Sequence, residues 1–145
     1  MKKVKVLFVC IHNSARSQMA EAFLNNLAGD KFLAESAGLE PGILNPVVVE
    51  AMKEIGIDIS HNKTKSVQEV INQGKQFEYV ITVCDEGAAK KCPFVPGVTV
   101  TQNWNLPDPS SFSGEWEEKL EKIREVRRQI KAKVEIFIKE ITNHK

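Results

Sequence analysis

The stretch Val6-Leu7-Phe8-Val9-Cys10-Ile11-His12-Asn13-Ser14-Ala15-Arg16-Ser17 runs an apolar segment directly into a cysteine and then into a short polar loop. A continuous β-branched and aromatic run from Val4 to Val9 suits a strand buried on both faces of a parallel sheet. The period then changes. Met19, Ala20, Phe23, Leu24 and Leu27 recur three and four apart, so a helix follows, with Ser14 or Asn13 as its N-cap. A strand, a tight loop and a helix N-terminus gather backbone N–H groups around one point, where the helix dipole also favours negative charge. Cys10 opens that loop and Arg16 lies six positions later, so the loop can curl round an oxyanion between a sulfur and a planar guanidinium fork. The same field favours thiolate over thiol at Cys10 and makes it a nucleophile. The bland alternative, a strand-end thiol and a surface charge, is disfavoured by the strand before and the helix after.

The rest of the chain supports one α/β domain over residues 1–145. A chain of 145 residues with 42% hydrophobic content buries one sizeable core. A net charge of +1, from 20 basic and 19 acidic residues, gives no general field for nucleic acid or an anionic membrane. Lys2-Lys3 precedes too short an apolar run for a signal peptide or a span, which places the protein in the cytoplasm, where we expect a monomer. Three cysteines, an odd number, argue for catalytic or redox thiols rather than a static disulfide framework.

Phe32 to Ala37 reads as a second strand stopped by Gly38, and Asn45 caps a helix with Pro46 in its first turn and Val48, Val49, Met52 and Ile55 on its apolar face. Val67 to Asn72 is a short helix closed by Gly74. Glu78 to Cys84 is a buried-strand pattern that delivers Cys84 to the carboxyl edge, where open α/β sheets bind ligands. Val98 to Thr101 gives a fourth strand and Asn103 to Gly114 a polar loop. From Glu115, the spacing of Trp116, Leu120, Ile123, Val126, Ile130, Val134, Phe137 and Ile141 predicts an amphipathic helix. The predicted fold is a three-layer α/β arrangement, a four-stranded parallel sheet flanked by helices.

Cys84 and Cys92 are eight apart, and the residues between them favour a short helix ended by Pro93. At about 1.5 Å rise per residue a rigid helix would hold the two roughly 12 Å apart, beyond the Cα limit of about 7 Å for a disulfide. Bridging them therefore requires the segment to unwind, and Gly87 weakens it. Inert buried cysteines are the plain alternative. A zinc or metalloid binder using the three cysteines and a histidine is a further one, but no C-x2-C pair is present, and no metal site is expected. His61, His144, Trp104 and Trp116 read as solvent-facing histidines and core or loop aromatics.

Cys10-Ile11-His12-Asn13-Ser14-Ala15-Arg16-Ser17 resembles the C-x5-R-S loop of the low-molecular-weight protein tyrosine phosphatase superfamily. Ser17-Gln18-Met19-Ala20-Glu21, Ser36-Ala37-Gly38, Cys84 with Cys92, and Asp108-Pro109 are similar to its thioredoxin-coupled arsenate reductase branch. The resemblance implies a flavodoxin-like fold, residues 11–17 (Ile11, His12, Asn13, Ser14, Ala15, Arg16 and Ser17) as the anion-binding loop, and Asp108 as general acid. It also implies arsenate as substrate, reduced through an adduct on Cys10, a Cys10–Cys84 disulfide and then a Cys84–Cys92 disulfide. No bound cofactor is implied; the reducing equivalents come from thioredoxin, or from glutaredoxin, glutathione or a similar thiol. Many relatives have Gly at the position of His12, which either contacts the anion or is simply exposed. Some relatives bind potassium through residues matching Asn13, Glu21 and Ser36 plus an acid; here Lys65 stands at the acid's position, and the expectation is an ammonium paired with Glu21. The competing implication is a tyrosine phosphatase working through a phosphocysteine, which leaves Cys84 and Cys92 unused.

Overall fold

The computed structural model describes residues 3–84, 86–93, 95–107, 109 and 112–143. Four parallel strands, β1 (Val4–Cys10), β2 (Phe32–Gly38), β3 (Tyr79–Thr82) and β4 (Val100–Asn103), form one sheet in the order β2-β1-β3-β4. The helices are α1 (Arg16–Ala28), α2 (Pro46–Lys53), α3 (Val67–Asn72), α4 (Glu86–Ala89) and α5 (Trp116–Asn143). With β1 and β3 at the centre and successive crossovers leaving β1 in opposite directions, the topological switch lies between the carboxyl ends of β1 and β3.

Alternation along β1 divides two apolar layers. Val6, Phe8 and Cys10 face a core filled from α1, α2 and α5, whereas Leu7 and Val9 face Val67 and Val70 of α3 together with Phe77, Val80 and Val95. Both faces of β1 are thus dry, which is why its sequence is apolar without interruption. The two coverings differ in depth. α5 presents Leu120, Ile123, Val126, Ile130, Val134 and Phe137 as one buried stripe, and the opposite face is roofed by the six-residue α3 and irregular chain. This three-layer, four-stranded parallel architecture is the one expected.

Several boundaries differ from the sequence reading. β4 begins at Val100 rather than Val98, because Val95 to Val98 closes a turn through Gly97 at φ 83° and the ladder with β3 starts only where Val100 stands opposite Tyr79. As an edge strand exposed along much of its length, it requires no apolar run. β3 is shorter than Glu78–Cys84, and Cys84 lies two residues past its end, fully buried. Trp116 is 46% exposed and Ile55 42% exposed, so neither joins the core face assigned to it. Trp104 is buried against Phe8, with ring centroids 5.6 Å apart. Asn45 does cap α2, its side chain accepting from Val47 N–H at 2.9 Å.

Candidate active site

The loop after β1 has its carbonyls turned outwards by a ladder of bonds to the segment that follows β2. Leu39, Glu40, Gly42 and Asn45 N–H donate to the carbonyls of Cys10, Ile11, His12 and Ser14 at 3.0, 2.8, 2.9 and 2.9 Å. The remaining loop carbonyl, Asn13 O, accepts from Gln18 Nε2 at 3.1 Å. In a trans peptide unit the C=O and the following N–H point in opposite directions, and no cis bond is present. The amides of Ile11, His12, Asn13, Ser14 and Ala15 are therefore all directed to the inner side of the loop. Asn13 N–H meets Cys10 Sγ at 3.1 Å, and no acceptor among the described residues takes the other four. Convergent unspent donors in a half-buried loop form a cradle for a tetrahedral oxyanion.

The donors around Cys10 can be assigned from groups whose chemistry allows one role only. Lys65 N–H donates to Asn13 Oδ1 at 3.0 Å, which fixes the Asn13 amide so that its NH2 points the other way. That NH2 donates to Ser17 Oγ at 2.9 Å and to Ser36 Oγ at 3.0 Å, and Ser36 passes its own hydrogen to Glu21 Oε1 at 2.9 Å. Ser17 Oγ lies 2.8 Å from Cys10 Sγ, so its hydroxyl donates to the sulfur whenever Cys10 is a thiolate. The sulfur thus has two hydrogen-bonding neighbours, the Ser17 hydroxyl and the Asn13 N–H. Asn13 holds this hub at φ 56°, a left-handed conformation that Asn tolerates better than other side-chain-bearing residues. Its side chain is occupied there, and the residue before α1 is Ala15 with no side-chain cap, contrary to the N-cap expected at Ser14 or Asn13. A capping side chain would have consumed the first-turn amides that the cradle leaves open.

Arg16 is 5% exposed and donates Nη1 to the Leu106 carbonyl at 3.1 Å, which ties the cradle to the loop leading towards Asp108. Asp108 itself lies outside the described residues. Ile11 and Ser14 are half-buried in the loop, and Ala15 and Ser17 are buried. His12 is exposed; because Glu40 O can only accept, its Nδ1 carries the hydrogen that spans the 3.0 Å between them. The cation expected beside Glu21 is placed differently: Lys65 Nζ stands 4.0 Å from Glu35 and acts on Glu21 only through space. Burial pushes the Glu21 carboxyl above its ordinary value, against the Ser36 hydrogen bond and the Lys65 charge.

All three cysteines are free. Cys10 and Cys84 leave adjacent strands at the same edge, where Val9 stands opposite Thr82. Cys92 is half-buried, its thiol 3.5 Å from the Pro93 carbonyl, and burial, with a smaller contribution from Cys84, pushes it up to about 11. The intervening chain is helical only over Glu86–Ala89 and ends as a turn in which Lys91 and Cys92 N–H reach the Ala88 and Ala89 carbonyls, so less unwinding is needed than for a full helix. Among the described residues no group of three His, Cys, Asp or Glu side chains is arranged to hold a metal, and no helix is long and apolar enough to cross a membrane. The sequence reading missed Gln18, which holds the Asn13 carbonyl, and the role of Gly38. A Cβ on Gly38 would lie 2.8 Å from Asn13 N and 2.9 Å from both His12 C and Ile11 O.

Residues 5–145 match the family model described as low molecular weight phosphotyrosine protein phosphatase. Arsenate reductase 1 of Staphylococcus epidermidis is 38% identical over 137 residues, covering 94% of this chain and 97% of that protein. A solved arsenate reductase in the phosphate binding state superposes with a TM-score of 0.78 at 34% identity, covering 95% of this chain and 98% of that one. The thioredoxin-dependent arsenate reductase of Corynebacterium glutamicum matches with a TM-score of 0.62 at 30% identity, covering 92% of this chain and 63% of that one.

Proposed function

The chain belongs to the low-molecular-weight phosphotyrosine protein phosphatase family, and we propose that within it the chain reduces arsenate to arsenite through Cys10, Cys84 and Cys92. The observation that carries this reading is a Cys10 sulfur within hydrogen-bond reach of Ser17 Oγ and Asn13 N–H inside an amide cradle, with a second thiol, Cys84, just past the end of the neighbouring strand. A phosphatase needs the cradle alone and leaves Cys84 and Cys92 without a use.

Arsenate sits with its oxygens on the loop amides and the Arg16 guanidinium. The Cys10 thiolate attacks arsenic, and one oxygen leaves as water with a proton from Asp108, the general acid that the family resemblance implies. Cys84 thiolate then attacks Cys10 Sγ. The arsenic–sulfur electron pair departs with arsenic, which leaves as arsenite, and a Cys10–Cys84 disulfide forms. Cys92, once deprotonated, attacks Cys84 Sγ, restoring the Cys10 thiolate and moving the oxidation to Cys84–Cys92. Thioredoxin supplies the two electrons that close the cycle. The half-buried Cys92, its thiol pushed up to about 11, favours this order, because it is a poor nucleophile until its segment opens.

Mass mapping after one exposure to arsenate tests the scheme. Cys10→Ser binds arsenate without chemistry, Cys84→Ser stops at the Cys10 adduct, and Cys92→Ser releases one arsenite and traps Cys10–Cys84. A Cys92→Ser enzyme that cycles with thioredoxin at the normal rate would overturn the last step.

A further inference from the structure

Among the described residues, the carbonyls of Cys10, Ile11, His12 and Ser14 are held outwards by backbone N–H groups, and Asn13 O is held by the Gln18 side chain alone. Asn13 O and Ser14 N–H belong to one trans peptide unit, so the Gln18 amide decides whether the Ser14 N–H faces the cradle. Gln18 is oriented in turn by its surroundings. The Asn13 and Lys63 carbonyls, 3.1 and 3.3 Å away, can only accept, so the group facing them is the Nε2 amide nitrogen. Asn13 Oδ1, an acceptor because Lys65 N–H donates to it, lies on the same side at 3.3 Å. Gln18 Oε1 is left on the other side, where Asn62 Nδ2 donates to it at 3.0 Å. Gln18 is 1% exposed, so without Asn62 that oxygen would be a buried acceptor lacking a donor. Asn62 itself is half-buried on a pinned segment: its N–H donates to Ile59 O at 3.0 Å, and Thr64 Oγ1 donates to Gly42 O at 2.6 Å. Turning the Gln18 amide over would set its oxygen against three acceptors and its NH2 against the Asn62 NH2.

We infer that Asn62 and Gln18 are positioning residues for the bound oxyanion: Asn62 orients the Gln18 amide, and Gln18 turns the Ser14 N–H onto an arsenate oxygen. The inference rests on the oxyanion cradle of the proposed function and names the side chains that aim one of its donors. No hydrogen bond joins either side chain to Cys10 Sγ, whose neighbours are Ser17 and Asn13. The pair therefore acts on anion affinity rather than on the sulfur. Once Gln18 lets go, no other group among the described residues holds the Asn13 carbonyl outwards. A turn of that peptide towards the cradle then replaces a donor with a carbonyl oxygen that repels the anion. The remaining cradle amides are aimed by backbone bonds, so this peptide is the place where a side chain sets the donor count.

Inorganic phosphate is the probe, because it is a tetrahedral oxyanion that thiols do not reduce, and the outcome is then independent of arsenate turnover. Its dissociation constant is read in the full chain from protection of Cys10 against iodoacetamide, followed by mass mapping. Gln18→Met removes the amide at similar length and should weaken phosphate binding by about ten- to a hundredfold. Asn62→Leu removes the donor at similar volume and should weaken it by about three- to tenfold. The double variant should bind no more weakly than Gln18→Met, because Asn62 acts through Gln18. Without phosphate, Cys10 should be alkylated at the parental rate in all three, which general damage to the loop would not allow. Asn62→Leu, at a half-buried position, keeps the test decisive if Gln18→Met does not fold. In amide-resolved NMR spectra at saturating phosphate, the Ser14 N–H should respond in the parent and lose that response in Asn62→Leu, while the Ile11 N–H responds in both. Parental phosphate affinity in Asn62→Leu, additive losses in the double variant, or an unchanged Ser14 response would each overturn the inference. Alkylation that slows in step with the loss of affinity would assign the pair to the sulfur and equally overturn it. A parent chain that shows these phosphate contrasts yet releases no arsenite from arsenate would refute only the arsenate reading.

Discussion

Gly38→Ala tests the cradle most directly, because its consequence follows from contacts alone. The new methyl would meet Asn13 N at 2.8 Å and His12 C and Ile11 O at 2.9 Å, where ordinary contact begins at 3.4 Å. Each atom must retreat by about half an ångström, and all three are backbone atoms fixed by the ladder to residues 39–45, so none can rotate aside. Overpacking of this kind costs about 1–3 kcal/mol. For a chain of this size that lowers Tm by roughly 3–10 °C. The retreat also draws the Asn13 amide out of line with the Cys10 sulfur. Displacing Ile11 O also swings the open His12 N–H of the same peptide unit, and loss of one charge-assisted hydrogen bond from it, about 1.5–3 kcal/mol, weakens arsenate binding by about ten- to a hundredfold. Gly42→Ala is the control, since there the methyl meets only the exposed His12 side chain, Cβ at 3.3 Å, which has room to turn. Thermal melts and protection of Cys10 from iodoacetamide by arsenate read the two effects. A Gly38→Ala protein with parental Tm and parental protection would refute the close approach of β2 to the loop.

Three further outcomes follow from the same structure. Arg16→Lys keeps the charge but loses the planar fork and the Leu106 bond, so arsenate turnover should fall by about a hundredfold or more in a steady-state assay, and full activity would argue against the cradle. The pH profile of Cys92 alkylation, read by mass mapping, should rise towards about 11 in the folded protein and return to an ordinary cysteine profile in denaturant. Arg124 and Arg127 hold the Glu54 carboxyl at about 2, below its ordinary 4.5, so it favours the fold above about pH 4.5 and that contribution is lost as pH falls through about 2. Glu54→Gln should therefore flatten the dependence of Tm on pH across that window, and an unchanged slope would show that the ion pair is not coupled to folding.

The stretch from Val4 to Ser17 determined its own structure and chemistry. A strand buried on both faces, a helix of period 3.6 and a loop between them are local consequences of side-chain order, and they suffice to place Cys10 and Arg16 around one point. The helix N-cap was misread from the same residues, because Asn13 is claimed by partners at Ser36 and Lys65 that lie far along the chain. β4 was displaced by two residues, since an exposed edge strand carries little apolar signal and the turn at Gly97 sets its start. Only the tertiary structure decided that the loop amides face inwards. That orientation is imposed by backbone bonds from residues 39–45 and by the Gln18 amide, and backbone bonds leave no pattern in a sequence, because every residue except proline carries the same donor and acceptor.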